Sequence, residues 1–173
     1  AVSNPNNPLA SILYILSKDI NGNLSVTPDA LKKNLSKYLN EFRLVSDAID
    51  MLDARIYNYG IKFGIVVAPS ANKQIVTQSV ISRLKEISRI ENFQIGQPIV
   101  MSDIVNMIIN TEGVISIFEM PTLFCRNGII DDRAYSLNEF IPEILELKGM
   151  VIPPEGTIFE MKYPDFDIIG TAV

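Results

Sequence analysis

The chain contains no histidine and no tryptophan. Without histidine there is no serine or cysteine triad of the usual kind, no default general base near neutral pH, and no imidazole for a metal. An enzyme built on this sequence would have to work with carboxylates, lysine or tyrosine. A single cysteine, Cys125, excludes an intramolecular disulfide and fits a reducing compartment. Apolar runs are short: Ile65 to Ala68 and the interrupted Leu9 to Leu16 fall far below the ~20 residues of a membrane span. No basic leader precedes an apolar stretch at the start, so a soluble chain without export is expected. Ala1 in first place suits either a removed initiator methionine or a segment of a longer polypeptide.

Positive charge is scarce as well. The 15 Lys and Arg are outnumbered by 20 Asp and Glu, for a formal charge of −5. The densest basic group, Arg83, Lys85 and Arg89, suits the wet face of a helix. Nucleic-acid binding, which draws on clustered cations, is not expected. What the chain does have is a large apolar share, 47% of 173 residues, with 20% charged, enough to bury a core.

The apolar residues fall into periodic stretches. Behind a Pro/Asn-rich lead-in, Leu9, Ile12, Leu13 and Leu16 recur at helical spacing, and Asn21-Gly22-Asn23 marks a turn. Thr27-Pro28-Asp29 is a strong helix start, followed by the stripe Leu31, Leu35, Tyr38, Leu39 and Phe42. Residues 56–68 alternate and then become wholly apolar, as a strand entering a sheet centre does. A helix is expected from about Asn72 to Ile90 with Val76, Val80, Leu84 and Ile87 inward. Another follows Ser102-Asp103, with Ile104, Val105, Ile108 and Ile109 inward and Gly113 beyond its end. Val114 to Glu119 reads as a second strand. Past Pro121 the periodicity weakens, and 158–163 and 166–171 read as extended pieces of an arm.

The expected fold class is α+β: a small sheet covered by two or three amphipathic helices, with an N-terminal helical appendage and an extended C-terminal arm. The expected division is residues 1–25, 26–120 and 121–173.

Candidate chemistry is thin. Asp47, Asp50 and Asp53 recur every three residues, with Asp131 and Asp132 downstream, but a calcium loop's central glycine and terminal glutamate are missing. Solvated carboxylates or local caps are the plainer reading. Asp165 and Asp167 form a possible acid/base pair with no sugar pocket in sight. Arg126 beside Cys125 would lower the thiol's pKa, yet without histidine a packing thiol is the simpler reading. Gly60, Gly64 and Gly96 form no phosphate-cradling run. No catalytic residue, metal site or cofactor is expected.

Apolar surface, by contrast, exceeds what one small sheet needs. Leu9, Ile12, Leu13 and Leu16 at one end, and Phe159, Met161, Phe166 and Ile168 at the other, are the candidate subunit-interface residues, beside Ile158 and Ile169. Either these strips fold back onto the domain or they dock on neighbouring subunits.

The succession IKFGIVVA (61–68), the helix through Val80 and Leu84, GQPIVMSDIVNMII (96–109) and GVISI (113–117) resembles the C-terminal domain of the baseplate J-like family. NLSKYLNEFRLVSDAI (34–49) is similar to the baseplate wedge subunit of contractile-tailed phages. The likeness covers residues 24–120 best. It implies a structural virion protein with no enzymatic activity, made in the host cytoplasm. Its partners would be other baseplate wedge proteins and copies of itself, in a ring around the tail hub that rearranges on sheath contraction. No nucleic acid, membrane or small-molecule substrate is implied. The family's polypeptides are usually much longer. A small-ligand-binding regulatory α+β module and a carboxylate-only hydrolase are the alternatives. A polar-lined pocket would favour the first, and Asp47, Asp50 and Asp131 clustered in one cleft the second.

Overall fold

The computed structural model describes residues 2–4, 7–42 and 48–173, in two units, 1–55 and 56–173. This division replaces the expected boundaries near 25 and 120: the helix at 29–42 belongs to the first unit, and the C-terminal third belongs to the second.

The first unit is built from β1 (Val2–Asn4), β2 (Asn7–Ile15), β3 (Ser17–Lys18), β4 (Leu24–Ser25), α1 (Asp29–Phe42) and β5 (Ala48–Asp53). Leu9 to Leu16, expected as a helical appendage, is therefore mostly strand. Eight residues make barely two helical turns, too few to hold a helix alone, and a run this short fits strand and helix spacing alike. As a strand it gains partners on both edges. β1 pairs with β2 antiparallel, and β5 pairs with it in parallel from Ala10↔Ala48 to Ile15↔Asp53. The Ala54 N–H extends the ladder by donating to the Ile15 carbonyl at 3.0 Å. β3 and β4 form a hairpin whose turn is held by Asp19 Oδ1, accepting from the N–H groups of Asn21 and Asn23 at 2.8 and 2.9 Å. α1 starts where Thr27-Pro28-Asp29 directs it. None of its residues is buried, so its apolar stripe covers less than the periodicity implies.

In the second unit the centre is β6 (Arg55–Val67). Its odd-numbered residues, Tyr57, Tyr59, Ile61, Phe63, Ile65 and Val67, are all buried in one apolar cluster. α2 (Lys73–Ile87) covers them with Val76, Val80 and Leu84. Asn72 caps it, Oδ1 accepting from Gln74 N at 2.9 Å and Ile75 N at 3.3 Å. Ile87, expected inward, is exposed because the helix ends there. β7 (Ile99–Val100) leads into α3 (Met101–Ile109), which buries Ile104 and Ile108 but leaves Ile109 exposed and Val105 half-buried.

β8 (Val114–Arg126) runs antiparallel to β6 well past Glu119, where the sequence pattern stops. Pro121 is accommodated by a bulge. Lys62 faces Thr122 and Gly64 faces Glu119, so three residues of β8 match two of β6. Next come β9 (Ile129–Ile130), β10 (Arg133–Ala134), α4 (Pro142–Leu145), β11 (Glu146–Leu147) and β12 (Met150–Val151), the last pairing with β7.

The C-terminal residues do not form an arm. β13 (Thr157–Glu160) is hydrogen-bonded to β6, and β14 (Ile168–Ala172) runs parallel to it from Ile168↔Ile61 to Ala172↔Ile65. With β8 along the other edge of β6, β13 and β14 share one edge in succession. Residues 161–167, including the turn α5 (Pro164–Asp167), make an excursion between them. The pull is hydrophobic: Phe159 is fully buried against Tyr57, Tyr59 and Phe140, with ring centroids 6.1, 6.0 and 5.4 Å away. The α+β class and the helix-covered small sheet are as expected. Among the described residues no helix is long and apolar enough to cross a membrane.

Candidate functional site

The excursion is held by a buried carboxylate. Asp167, with no exposed surface, accepts from Tyr135 Oη at 2.7 Å, Arg126 Nε at 3.1 Å and the Tyr163 N–H at 3.0 Å. Burial pushes its pKa upward, against the lowering effect of these three partners. The same burial, and the neighbouring carboxylate, raise the Tyr135 phenol. Nearby, Asn58 is the hub of a second polar cluster. Its Nδ2 donates to Glu160 Oε2 at 2.8 Å, and its Oδ1 accepts from the Ser136 N–H at 2.6 Å. Ser136 Oγ and Asn138 Nδ2 both donate to the Ile56 carbonyl, at 2.5 and 3.1 Å. Each cluster ties a loop to the sheet and spends its donors and acceptors inside the protein. That is anchoring geometry, with no open position for a reacting group.

The carboxylates singled out by spacing do not assemble. Asp47 lies outside the described residues. Asp50 and Asp53 are three apart on a strand, which sends them to opposite faces. Asp50 accepts from Asn4 Nδ2 at 2.6 Å, and Asp53 pairs with Lys32 at 2.6 Å. The Lys32 pKa is raised, chiefly by that hydrogen bond. Asp131 and Asp132 occupy a tight turn with positive φ in the other unit. Asp165 bonds Lys85 while Asp167 is buried among its own partners, so the two are not a working pair. Among the described residues no three Asp, Glu or Cys side chains come together as a metal cage. Cys125 is half-buried and packs on the core; burial raises its thiol pKa, Glu139 adds to the rise and a backbone hydrogen bond at Phe140 opposes it, while the Arg126 guanidinium turns to Asp167.

The candidate interface residues separate into two groups. Phe159, Met161 and Ile168 are buried in the core and have no surface left for a partner. Ile12 is buried within its strand, and Leu13 and Leu16 are half-buried. The side chain of Leu9 lies outside the described part of the structure. Only Phe166 stays exposed, with the Arg133 guanidinium 3.1 Å above its ring. Reading both strips as docking surfaces took the chain ends for appendages, whereas sheet pairing absorbs them.

Exposed apolar side chains occur elsewhere. Leu31, Tyr38 and Phe42 stand along α1, Ile115, Phe118 and Met120 along β8, and Leu137, Ile141, Ile144 and Leu147 between β10 and β12. Sequence reasoning took the α1 stripe for a buried face and did not single out the other two groups. For the last group the available signal was the interleaving of Ile141, Ile144 and Leu147 with Glu139, Glu143 and Glu146, which marks a segment only partly turned inward, by Phe140 and Leu145.

A cleft of about 360 Å³ opens between the end of α2 and the start of α3, lined by Phe93, Ile99, Ile104 and Met107. Three of its polar side chains are engaged within the protein, and Asp103 also stands in its wall. Gln97 Oε1 accepts from the Gln94 N–H at 3.0 Å, Asn92 Nδ2 donates to the Glu86 carbonyl at 3.0 Å, and the buried Tyr59 hydroxyl bonds Ser88. No known protein-family model matches the chain, and no curated protein does.

Proposed function

We propose that the chain is a non-catalytic structural subunit of a phage tail baseplate wedge, whose work is to bind other wedge proteins and copies of itself. The observation that carries this reading is the grouping of large apolar side chains left in water on α1, on β8 and between residues 137 and 147. Isolated exposed apolar residues are ordinary, whereas grouped ones mark surfaces that another protein covers. The polar residues point the same way. Asp167, Arg126, Tyr135 and Asn58 are consumed in holding the sheet's edge together, which is what a rigid building block needs. The resemblance of residues 24–120 to wedge proteins supplies the particular assembly.

Two measurements test this. Light scattering on the chain, alone and with purified baseplate wedge proteins, should show a defined complex with at least one of them. An antibody against the chain should label the baseplate end of contractile-tailed particles in electron micrographs. Particles that carry no label, together with a chain that stays monomeric in every mixture, would remove the proposal. The regulatory-module alternative would use the cleft beside Tyr59, where Asn92 and Gln97 are bonded to nearby backbone and Asp103 stands in the wall.

A further inference from the structure

In the second unit α2 and α3 pack on the face of the sheet that carries Ile61, Phe63 and Ile65. Residues paired across a sheet share a face, so the register defines what lies on the other. There β6 presents Asn58, Gly60, Lys62 and Gly64, β14 presents Ile169 and Thr171, and β8 presents Glu119, Thr122 and Phe124. At the Asn58 and Gly60 end this side is covered by Ser136, Tyr135 and the Arg126–Asp167 pair, whereas around it Lys62, Thr122, Ile169 and Thr171 are exposed.

Two glycines make the surface flat. A Cβ on Gly64 would fall 2.5 Å from the Phe118 ring, and one on Gly60 would collide with the Phe124 ring and lie 2.6 Å from the Asp167 carbonyl. The two rings therefore lie down over the central strand. Phe118 keeps 49% of its surface and Ile169 42%. Between them stands one ion pair, Lys62 Nζ to Glu119 Oε1 at 2.7 Å. Arg126, opposite Asn58 on β8, is committed to Asp167 at the far end.

This charge arrangement selects the occupant. A basic partner would meet Lys62 and an acidic one would meet Glu119, so either brings like charges together. A surface carrying both signs side by side is matched by its own copy. Rotated by a two-fold axis, the second face sets cation over anion twice, with apolar rings around the square. We propose that the exposed part of this face of the β14–β6–β8 sheet is a self-docking surface, on which Lys62 of each copy reaches Glu119 of the other. The inference rests on the reading of the chain as an assembly subunit and names the surface used between copies.

The test is a charge exchange between two single variants of the full chain. Lys62→Glu carries two acids on this face and Glu119→Lys two bases, so neither should self-associate. Mixed one to one, they should restore a heterodimer. By analytical ultracentrifugation the wild type should self-associate, and each variant alone should be weakened roughly tenfold or more, the scale of like charges opposed across an interface. The mixture should recover most of that loss. Thermal unfolding controls for folding, since an exposed pair contributes little to the fold itself. If the wild type associates but the variants do too, or the mixture recovers nothing, the surface is wrong while the assembly reading stands. A wild type that is monomeric at high concentration, yet binds wedge proteins, overturns self-docking alone.

Discussion

Replacing Asp167 by alanine strips the acceptor from three donors at once. Tyr135 Oη, Arg126 Nε and the Tyr163 N–H, 2.7 to 3.1 Å from the carboxylate, would be left facing a small apolar side chain. Breaking a buried ion pair by removing one partner costs about 3–5 kcal/mol, because the other charge stays buried without compensation. For a unit of this size that is a drop of roughly 10–20 °C in melting temperature. Asp167→Asn keeps the shape and part of the bonding, and should lose less. It also isolates the ionisation. The folded pKa of Asp167 is raised by burial, so protonation favours the folded state. That stabilisation is fully present below the unfolded value near 3.8 and is lost as pH rises through the folded pKa. The wild type should therefore gain stability relative to Asp167→Asn as pH falls through that window. Urea unfolding followed by far-ultraviolet circular dichroism at several pH values measures both effects; the chain has no tryptophan to report on it. An alanine variant within ~1 kcal/mol of wild type, set against the 3–5 expected, would show that the cluster does not anchor the excursion.

Three further outcomes are expected. Ile12→Asp places a charge at a buried position of β2 and should unfold the first unit's sheet, seen as an early loss in hydrogen exchange across residues 10–15; an unchanged exchange pattern would refute that placement. Gly60→Val drives a side chain into the Phe124 ring and the Asp167 carbonyl and should destabilise by about 1–3 kcal/mol, read by chemical unfolding. Cys125, half-buried with a raised pKa, should react with a thiol reagent at pH 7.5 many times slower than free cysteine and match it only after unfolding.

Much of the second unit was legible because its signals are local. Asn72 caps α2, Val76, Val80 and Leu84 share a face, and the alternation of residues 57–67 around Lys62 declares a strand. The N-terminal strand was not legible, since Leu9 to Leu16 satisfies helical spacing as well as a buried strand does, and its parallel partner lies some forty residues on. The C-terminal edge was hidden for another reason. Asp167 looks like a surface acid until Arg126 and Tyr135, distant in sequence, meet it. The apolar residues of the C-terminal strip were read as surface, yet Phe159 and Ile168 complete the core, while Phe118 is left outside.

The shared edge of β6 bears on how the chain is made. Ile61 to Ile65 leave the ribosome about a hundred residues ahead of their parallel partners, Ile168 to Ala172. Until then half of that edge offers bare N–H and carbonyl groups beside Phe63 and Ile65, the kind of template on which nascent chains pair wrongly. Closing so long a loop is slow as well as late. The second unit therefore cannot finish folding until residues 168–172 have been made and released. A product stopped at residue 160 would carry nearly all the core residues and still lack the strand that seals it.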